Sequence, residues 1–123
     1  MIELNNKQLG AQGETWALEY FLASGYSLIE KNYRIKAGEI DLIVENQEWV
    51  VFVEVKTRRN LRYGRGLESV INAKQTIIRK VAEYFLAYNF PKTNLKRIRF
   101  DVVDILVDAN YKMVKCEHLQ NAF

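Results

Sequence analysis

Two neighbouring segments of this sequence combine the apolar character of buried β-strands with charged residues that such strands rarely carry. They cover residues 38–44 (GEIDLIV) and 49–56 (WVVFVEVK), and the polar residues between them suit a hairpin loop. Because strand side chains alternate, Glu54 and Lys56 should point to one face, opposite the valines at odd-numbered positions. Asp41 interrupts the first segment in the same way. We therefore expect adjacent antiparallel strands that bring charge to the margin of a core.

Two interpretations of these charges are open. A Glu and a Lys two positions apart on a strand often form a weak surface pair, so a solvated polar face is one interpretation. Against it, Val50 and Phe52 share the face of Glu54 and Lys56. That face is therefore apolar at the start of the strand and charged at its end. Carboxylates on adjacent strands would repel each other unless a cation lies between them, and their hard oxygen atoms suit Mg2+ or Mn2+. An acid on one strand and Glu-Val-Lys on the next are the parts of metal-dependent phosphodiester hydrolysis.

The arrangement Asp41…Glu54-Val55-Lys56 resembles the signature of the PD-(D/E)xK nuclease superfamily, with Ile40 where the name of the signature has Pro. The wider wording of residues 38–43 and 51–58 is similar to the YraN-type family of small bacterial proteins, which resemble archaeal Holliday junction resolvases. The same resemblance continues through Gly13-Glu14, Ala17, Asn32-Tyr33-Arg34, Lys74, residues 99–103 and Asn121-Ala122-Phe123. It therefore covers nearly the whole chain.

The resemblance implies a restriction-endonuclease-like fold with a three-layer core. It implies that Asp41 and Glu54 hold Mg2+, or Mn2+, with the Val55 carbonyl as a further ligand, and that Lys56 positions the attacking water. It also raises Glu14, otherwise one helical acid among several, to a third acid that approaches the metal. By analogy with the resolvases, the expected partner is DNA, including branched DNA. The same analogy suggests a homodimer, because a junction has two strands to cut.

The order of the predicted elements is helix, three strands, helix, two strands. Apolar spacing predicts helices over 6–24 and 67–89 and strands over 26–35, 38–44, 49–56, 97–107 and 111–117. The first three strands should be antiparallel, and the helical crossover should make the fourth strand parallel to its partner. We expect an α/β fold with a mixed five-stranded sheet, and one helix before and one after the first three strands.

Basic residues are concentrated after the carboxylate segment. Residues 56–100 contain twelve Lys and Arg residues and two acids, for a net charge of +10, while the rest of the chain carries −7. This asymmetry suggests a polyanionic partner, although a solvated basic helix with snorkelling side chains would give a similar pattern. The residues predicted to contact nucleic acid are Arg58, Arg59, Arg62, Tyr63 and Arg65 in a loop, and Lys74 in the second helix.

Length and composition exclude other classes. A chain of 123 residues suits a single domain over 1–123, which the resemblance implies is nuclease-like. No apolar run approaches the roughly 20 residues of a membrane span and no signal peptide is evident, so we expect a cytoplasmic protein that does not contact membranes. The lone Cys116 and lone His118 offer too few ligands for zinc; we expect Cys116 to pack in a strand and His118 to lie at the surface. Asp101 should pair with Arg99 or another basic neighbour and organise the structure.

The sequence thus predicts a Mg2+-dependent endodeoxyribonuclease that cleaves DNA phosphodiester bonds. Two alternatives stay open: a non-catalytic nucleic-acid-binding module on a nuclease fold, and a protein-interaction subunit whose basic loop meets an acidic partner. Binding alone does not require buried like charges, which favours catalysis. Because a close carboxylate pair without metal is strained by repulsion, we expect Glu54→Gln to leave the metal-free fold at least as stable.

Overall fold

A computed structural model of the chain describes residues 3–59, 72–89 and 96–123. Within these residues the elements are α1 (Asn6–Ala23), β1 (Ser27–Ile35), β2 (Gly38–Glu45), β3 (Trp49–Arg58), α2 (Asn72–Asn89), β4 (Arg97–Val107) and β5 (Met113–Leu119). The strands form a five-stranded sheet whose spatial order follows the chain. The first three strands are antiparallel, β4 runs parallel to β3, and β5 is antiparallel to β4, which confirms the predicted mixed α/β architecture. Among the described helices, none has the length and apolar character that crossing a membrane requires.

Each face of the sheet is covered by one helix. Val51 and Val53 of β3 pack with Phe21 of α1 in one apolar cluster, whereas Phe52 packs with Phe85 of α2 in the other. The predicted alternation of β3 is therefore confirmed. Because Phe52 lies on the α2 face, the charged residues that follow it at even positions share that face.

Local hydrogen bonds explain where α1 begins and where the chain turns between β2 and β3. The Asn5 side chain accepts a hydrogen bond from the Gln8 N–H, and the Gln8 side chain accepts one from the Asn5 N–H, which forms a capping box at the start of α1. In the hairpin, the side-chain oxygen of Asn46 accepts the N–H groups of Glu48 and Trp49 at 2.9 and 2.7 Å. The predicted loop between the two strands is thus confirmed, closed by an Asn side chain.

A buried polar network joins β4 to β5 and α1. Asp101 is fully buried and accepts two hydrogen bonds from Arg99, at 2.8 and 2.9 Å, and one from the Asn121 N–H at 3.0 Å. His118 Nε2 lies 2.6 Å from Asp101, and His118 Nδ1 lies 2.8 Å from the Tyr20 hydroxyl. Burial acts to raise the pKa of Asp101, but the hydrogen bonds from His118 and Arg99 outweigh it and hold that pKa below its ordinary value. The predicted Arg99–Asp101 pair is confirmed.

The expectations for two residues of β5 are wrong. His118 is not a surface residue: it lies opposite Val103 of the α1-facing core, and its side chain is 8% exposed. Cys116 is exposed instead of packed. β5 pairs with β4 along one side and ends the sheet, so its side chains receive less cover than those of a central strand.

Helix α1 approaches β3 closely at Gly13. A Cβ atom at Gly13 would lie 1.7 Å from Thr57 Oγ1 and 2.9 Å from Thr57 Cβ, whereas a Cβ at Gly10 would meet no described atom within 4 Å. Glu14 follows Gly13 on the helix, and Thr57 follows the charged end of β3. The close approach therefore positions the acid of α1 relative to that end of the strand.

We expect Gly13→Ala to destabilise the fold by about 1–3 kcal/mol, because the added methyl group would overlap the stiff, β-branched Thr57 side chain. The matched control Gly10→Ala should raise stability by about 0.5–1 kcal/mol through helix propensity alone. Thr57 Oγ1 is buried without a hydrogen-bond partner among the described residues, so adding Thr57→Ala should recover part of the loss. Urea unfolding measures all three effects. Equal effects at the two glycines would show that α1 can move away from β3 at little cost.

Candidate active site

The regular pairing of β2 with β3 ends just before Asp41. The last pair in the ladder is Leu42 with Val53, so Asp41 and Glu54 are next in register but fall beyond it. In place of a ladder bond, Asp41 Oδ2 accepts the backbone N–H of Val55 at 2.8 Å. The side chain of Asp41 is thereby held against the segment that carries the Glu-Val-Lys sequence.

On its other side, Asp41 faces an irregular position of β1. Lys31 pairs with Leu42 and Tyr33 with Ile40, which leaves Asn32 opposite Asp41. Asn32 has φ of 53°, in the left-handed region that Asn tolerates better than most residues. Both strands that neighbour Asp41 thus depart from regular geometry at the same level of the sheet.

Glu54 is buried and has two ammonium partners. Its side chain is 7% exposed, and Oε1 lies 3.1 Å from Lys56 Nζ on the same strand. The same oxygen accepts a hydrogen bond from Lys74 Nζ, which comes from the first turn of α2. The structure therefore brings together Asp41, Glu54, Lys56 and Lys74 from β2, β3 and α2.

The electrostatics of this cluster disturb its proton equilibria. Burial, and then the negative charge of Glu54, raises the pKa of Asp41 to about 8. Burial and the neighbouring Lys74 amine lower the pKa of Lys56. For Lys74, burial also acts to lower the pKa, but hydrogen bonding to Glu54 and Lys56 outweighs it and raises the net value. Perturbed groups of opposite sign in contact are typical of a functional site.

Glu14 lies at the edge of the cluster, on α1. Burial raises its pKa although Lys31 and a hydrogen bond with Asn32 oppose that shift, and it interacts with Asp41 strongly enough to raise the pKa of that residue. Beside Glu14 a cleft of about 620 Å³ opens between α1 and the β1–β2 hairpin, with Lys7 among its lining residues. The predicted position of Glu14 near the acid of β2 is therefore consistent with the structure.

The cluster contains two carboxylates that a divalent cation could bind, those of Asp41 and Glu54. Among the described residues, no three His, Cys, Asp or Glu side chains lie close enough together to hold a metal ion, so Glu14 does not join Asp41 and Glu54 as a ligand in this arrangement. Mg2+ commonly binds proteins through one or two carboxylates and fills its other positions with water and substrate oxygens. Buried Glu54 and half-buried Asp41, whose pKa is raised, fit such an ion. The Val55 carbonyl as a further ligand stays a prediction.

The basic residues that follow β3 separate into two groups. Arg58 donates to both carboxylate oxygens of buried Asp104, at 2.9 and 3.3 Å, with its own side chain 17% exposed. It is therefore committed to an internal ion pair and is poorly placed to bind phosphate. Arg59 is exposed and lies 4.7 Å from the centre of the Tyr111 ring. Arg62, Tyr63 and Arg65 lie outside the described residues.

Sequence reasoning missed two features of the cluster. Asn32 carries part of the family resemblance but is not among the predicted site residues. The signal that could have identified it is an Asn inside a strand, where Asn is disfavoured. Lys74 was predicted as a phosphate contact, and the structure places its amine on Glu54. The prediction for Glu54→Gln considered carboxylate repulsion and did not include the contact with Lys74. With two ammonium partners on Glu54, we expect the substitution to cost stability without metal, because it leaves both ammonium groups without their partner.

Comparison with known proteins defines the family. The sequence model of the family described as "Uncharacterised protein family UPF0102" matches residues 13–105 of this chain. UPF0102 proteins of Dictyoglomus thermophilum and Caldicellulosiruptor bescii are 39% and 42% identical to this chain, each over 98% of this chain and 100% of the relative. That of Clostridioides difficile is 41% identical with the same coverage. The chain therefore belongs to the UPF0102 family, which confirms the YraN-type resemblance at family level.

Asp41→Asn should remove the negative charge of Asp41 while keeping its hydrogen bond, because Asn retains an oxygen that can accept the Val55 N–H. The folded-state pKa of Asp41 lies above its ordinary value of 3.8, so the folded chain holds this proton more tightly than the unfolded chain. The stability contribution of the protonated Asp41 is fully present below about pH 4 and is lost as the pH rises toward 8. The variant should therefore match the wild type near pH 4 and exceed it by about 1–3 kcal/mol at pH 8.

Denaturant unfolding in EDTA at several pH values measures that difference. Glu48→Gln is the control, since this exposed acid lies at the other end of β3 and should leave the pH profile unchanged. A wild-type advantage at pH 8 would show that Asp41 is ionised and stabilising in the folded protein.

Proposed function

We propose that this chain is a metal-dependent endodeoxyribonuclease on a restriction-endonuclease-like fold, which cleaves phosphodiester bonds in branched or repair-intermediate DNA. The observation that carries the proposal is the convergence of Asp41, Glu54, Lys56 and Lys74 at the point where β2 and β3 separate. Burial and the neighbouring Glu54 charge raise the pKa of Asp41, which costs stability when the carboxyl group is ionised. Side chains placed at such a cost are better explained by chemistry than by packing.

Asp41 and Glu54 would hold Mg2+, or Mn2+, with the Val55 carbonyl as a further ligand. When bound, the metal supplies Lewis-acid polarisation of the phosphate and a lowered pKa for a coordinated water. The Val55 N–H fixes one oxygen of Asp41 at 2.8 Å, so the other oxygen of this carboxylate is oriented before any ligand arrives. This preorganisation would reduce the entropic cost of assembling the site.

Lys56 would position the attacking water and stabilise negative charge that develops on the phosphate. Its lowered pKa brings the amine closer to neutrality than an exposed lysine, which favours proton exchange with a bound water at Nζ. Lys74 can exchange its contact with Glu54 for a phosphate oxygen. Glu14 would act on Asp41 from the α1 side, through the interaction that couples their pKa values.

DNA is the proposed partner because the basic residues follow the site along the chain. Arg59, Arg62 and Arg65 remain candidates for phosphate contacts, while Arg58 holds Asp104. Cleavage of both strands at a junction would need two copies of the site, which is the argument for a homodimer. A cytoplasmic location would supply both DNA and Mg2+.

A non-catalytic nucleic-acid-binding module is the second candidate, and one observation favours it. Lys56 and Lys74 both contact Glu54, so this carboxylate already has compensating charge without a metal. In such a module the Glu54 carboxylate would balance the charge of the two lysines, and no metal ligand would be needed. The raised pKa of Asp41 is not explained by that role, which is why we favour the nuclease.

Millimolar Mg2+ or Mn2+ should raise the melting temperature of the wild type and support cleavage of linear, flapped or four-way DNA, with EDTA abolishing both. Glu54→Gln should remove the thermal shift and lower cleavage by about 100-fold or more, because it removes a ligand and an electrostatic element together. Glu48→Gln should behave as the wild type. Unchanged melting with either metal, together with DNA binding that survives in Glu54→Gln, would favour the binding module.

The two groups of arginines should respond differently to replacement. Removing Arg59, Arg62 and Arg65 should weaken DNA binding and lower the slope of log affinity against log salt by about 0.9 for each lost phosphate contact on duplex DNA. Arg58→Ala should instead destabilise the fold by about 3 kcal/mol, because Asp104 would remain buried without its partner. Salt titrations of binding and urea unfolding distinguish these effects. A salt slope that falls for Arg58→Ala alone would reverse our assignment.

A further inference from the structure

One flank of α2 carries a continuous stripe that starts at the candidate active site. Its members are Lys74, Ile77, Lys80, Tyr84 and Tyr88. At 3.6 residues per turn these positions fall within an arc of about 120°, which overlaps at one edge with the residues that pack on the sheet. Lys74 contacts Glu54, so the stripe leads from the carboxylate cluster along the helix.

The far end of the stripe exposes two aromatic rings. Tyr84 and Tyr88 are 46% and 74% exposed, and their ring centroids lie 4.6 Å apart with an interplanar angle of 37°. They line a hollow of about 570 Å³ together with exposed Lys36 and Lys80. Glu83 is the acidic residue of this hollow, so the lysines exceed it in charge. Exposed aromatic rings beside lysines form the combination that binds unpaired bases and their phosphates.

We propose that this stripe binds a single-stranded segment of the nucleic acid whose phosphodiester is cleaved at Asp41 and Glu54. Tyr84 and Tyr88 stack on unpaired bases, and Lys36 and Lys80 contact the phosphates that link those nucleotides. The inference deepens the proposed nuclease function and rests on it. It identifies the substrate class as DNA with a single-stranded arm, such as a flap, a gap or an opened junction.

The stacking chemistry is what selects a single strand over a duplex. In a duplex the faces of the bases are covered by their neighbours, so a side-chain ring on a helix surface cannot reach them without unstacking. An unpaired base presents its face to any exposed ring, whatever its sequence. The two rings come from consecutive turns of one helix and lie 4.6 Å apart, so together they form one aromatic surface on which unpaired bases can stack.

The geometry also predicts where the arm is held relative to the cleaved bond. Tyr84 and Tyr88 lie ten and fourteen residues beyond Lys74, or about 15 and 21 Å along the helix at 1.5 Å per residue. At about 3.4 Å per stacked nucleotide this distance corresponds to about four to six nucleotides. A shorter arm would reach the cluster without reaching the rings.

Binding measured by fluorescence anisotropy in EDTA tests the inference without cleavage. The probes are a blunt duplex and the same duplex with a single-stranded tail of about two or about six nucleotides, in each polarity. For the wild type, the six-nucleotide tail of one polarity should raise affinity about tenfold over the blunt duplex, and the two-nucleotide tail should not. Tyr84→Ala with Tyr88→Ala should remove the advantage of the long tail, whereas Tyr84→Phe with Tyr88→Phe should retain it.

Controls separate stacking from other effects of these substitutions. Leu22→Ala removes a similarly exposed apolar side chain from α1, and it should leave the tail preference intact. Melting temperatures should match the wild type for every variant, because the replaced side chains are exposed. Size-exclusion chromatography should show the same oligomeric state throughout.

The possible outcomes are distinct. A tail preference that survives Tyr84→Ala with Tyr88→Ala, or wild-type binding with no tail preference, overturns this inference and leaves the proposed nuclease function standing. A wild type that binds none of these DNAs overturns both. A change of oligomeric state in the alanine variant also overturns the inference, because the stripe would then be an interface between copies of this chain. Loss of tail preference in the alanine variant alone, retained with phenylalanine, supports it.

Discussion

The hydrogen bond from the Val55 N–H to Asp41 is the contact on which the candidate site depends. Strands β2 and β3 pair regularly up to Leu42 and Val53, and the Asp41 carboxylate then takes the place of a backbone acceptor. A side-chain acceptor at this point satisfies the Val55 N–H while the two strands separate. Without this separation the Asp41 and Glu54 side chains would be one more cross-strand pair of the sheet.

The surrounding fold holds the separated ends of β2 and β3 in place from both faces of the sheet. On the α1 face, Gly13 allows the helix to approach Thr57 closely, which brings Glu14 toward Asp41. On the α2 face, a Cβ at Gly38 would meet the Ile77 side chain at 2.5 Å, so the β1–β2 turn packs tightly against the helix that supplies Lys74. Both close contacts lie within a few residues of the charged groups. The cluster is therefore built on packed elements that limit how far its members can move.

Much of the fold could be predicted from the sequence, because its strands are local patterns. The alternation in β3, the loop at Asn46 and the parallel placement of β4 all follow from residue spacing and connection length, and all are confirmed. The partners of the charged residues could not be predicted in the same way. Arg58 was expected to meet DNA and meets Asp104, forty-six positions later, because β3 and β4 are neighbours in register. Lys74 reaches Glu54 through a crossover whose end point no local pattern specifies.

Buried Asp101 and half-buried Asp41 show how a structural acid differs physically from a candidate functional one. Asp101 accepts hydrogen bonds from Arg99, His118 and the Asn121 backbone, and these contacts lower its pKa despite complete burial.

Asp41 has the Val55 N–H as its hydrogen-bond donor and an anionic neighbour in Glu54, and its pKa rises to about 8. The first environment has enough donors to stabilise the carboxylate, whereas in the second burial and the Glu54 charge outweigh the Val55 hydrogen bond and the attraction of Lys74. A packing role would not require this raised pKa, since a neutral Asn could accept the same hydrogen bond from Val55. The raised pKa is the property expected of a ligand that is completed by a cation.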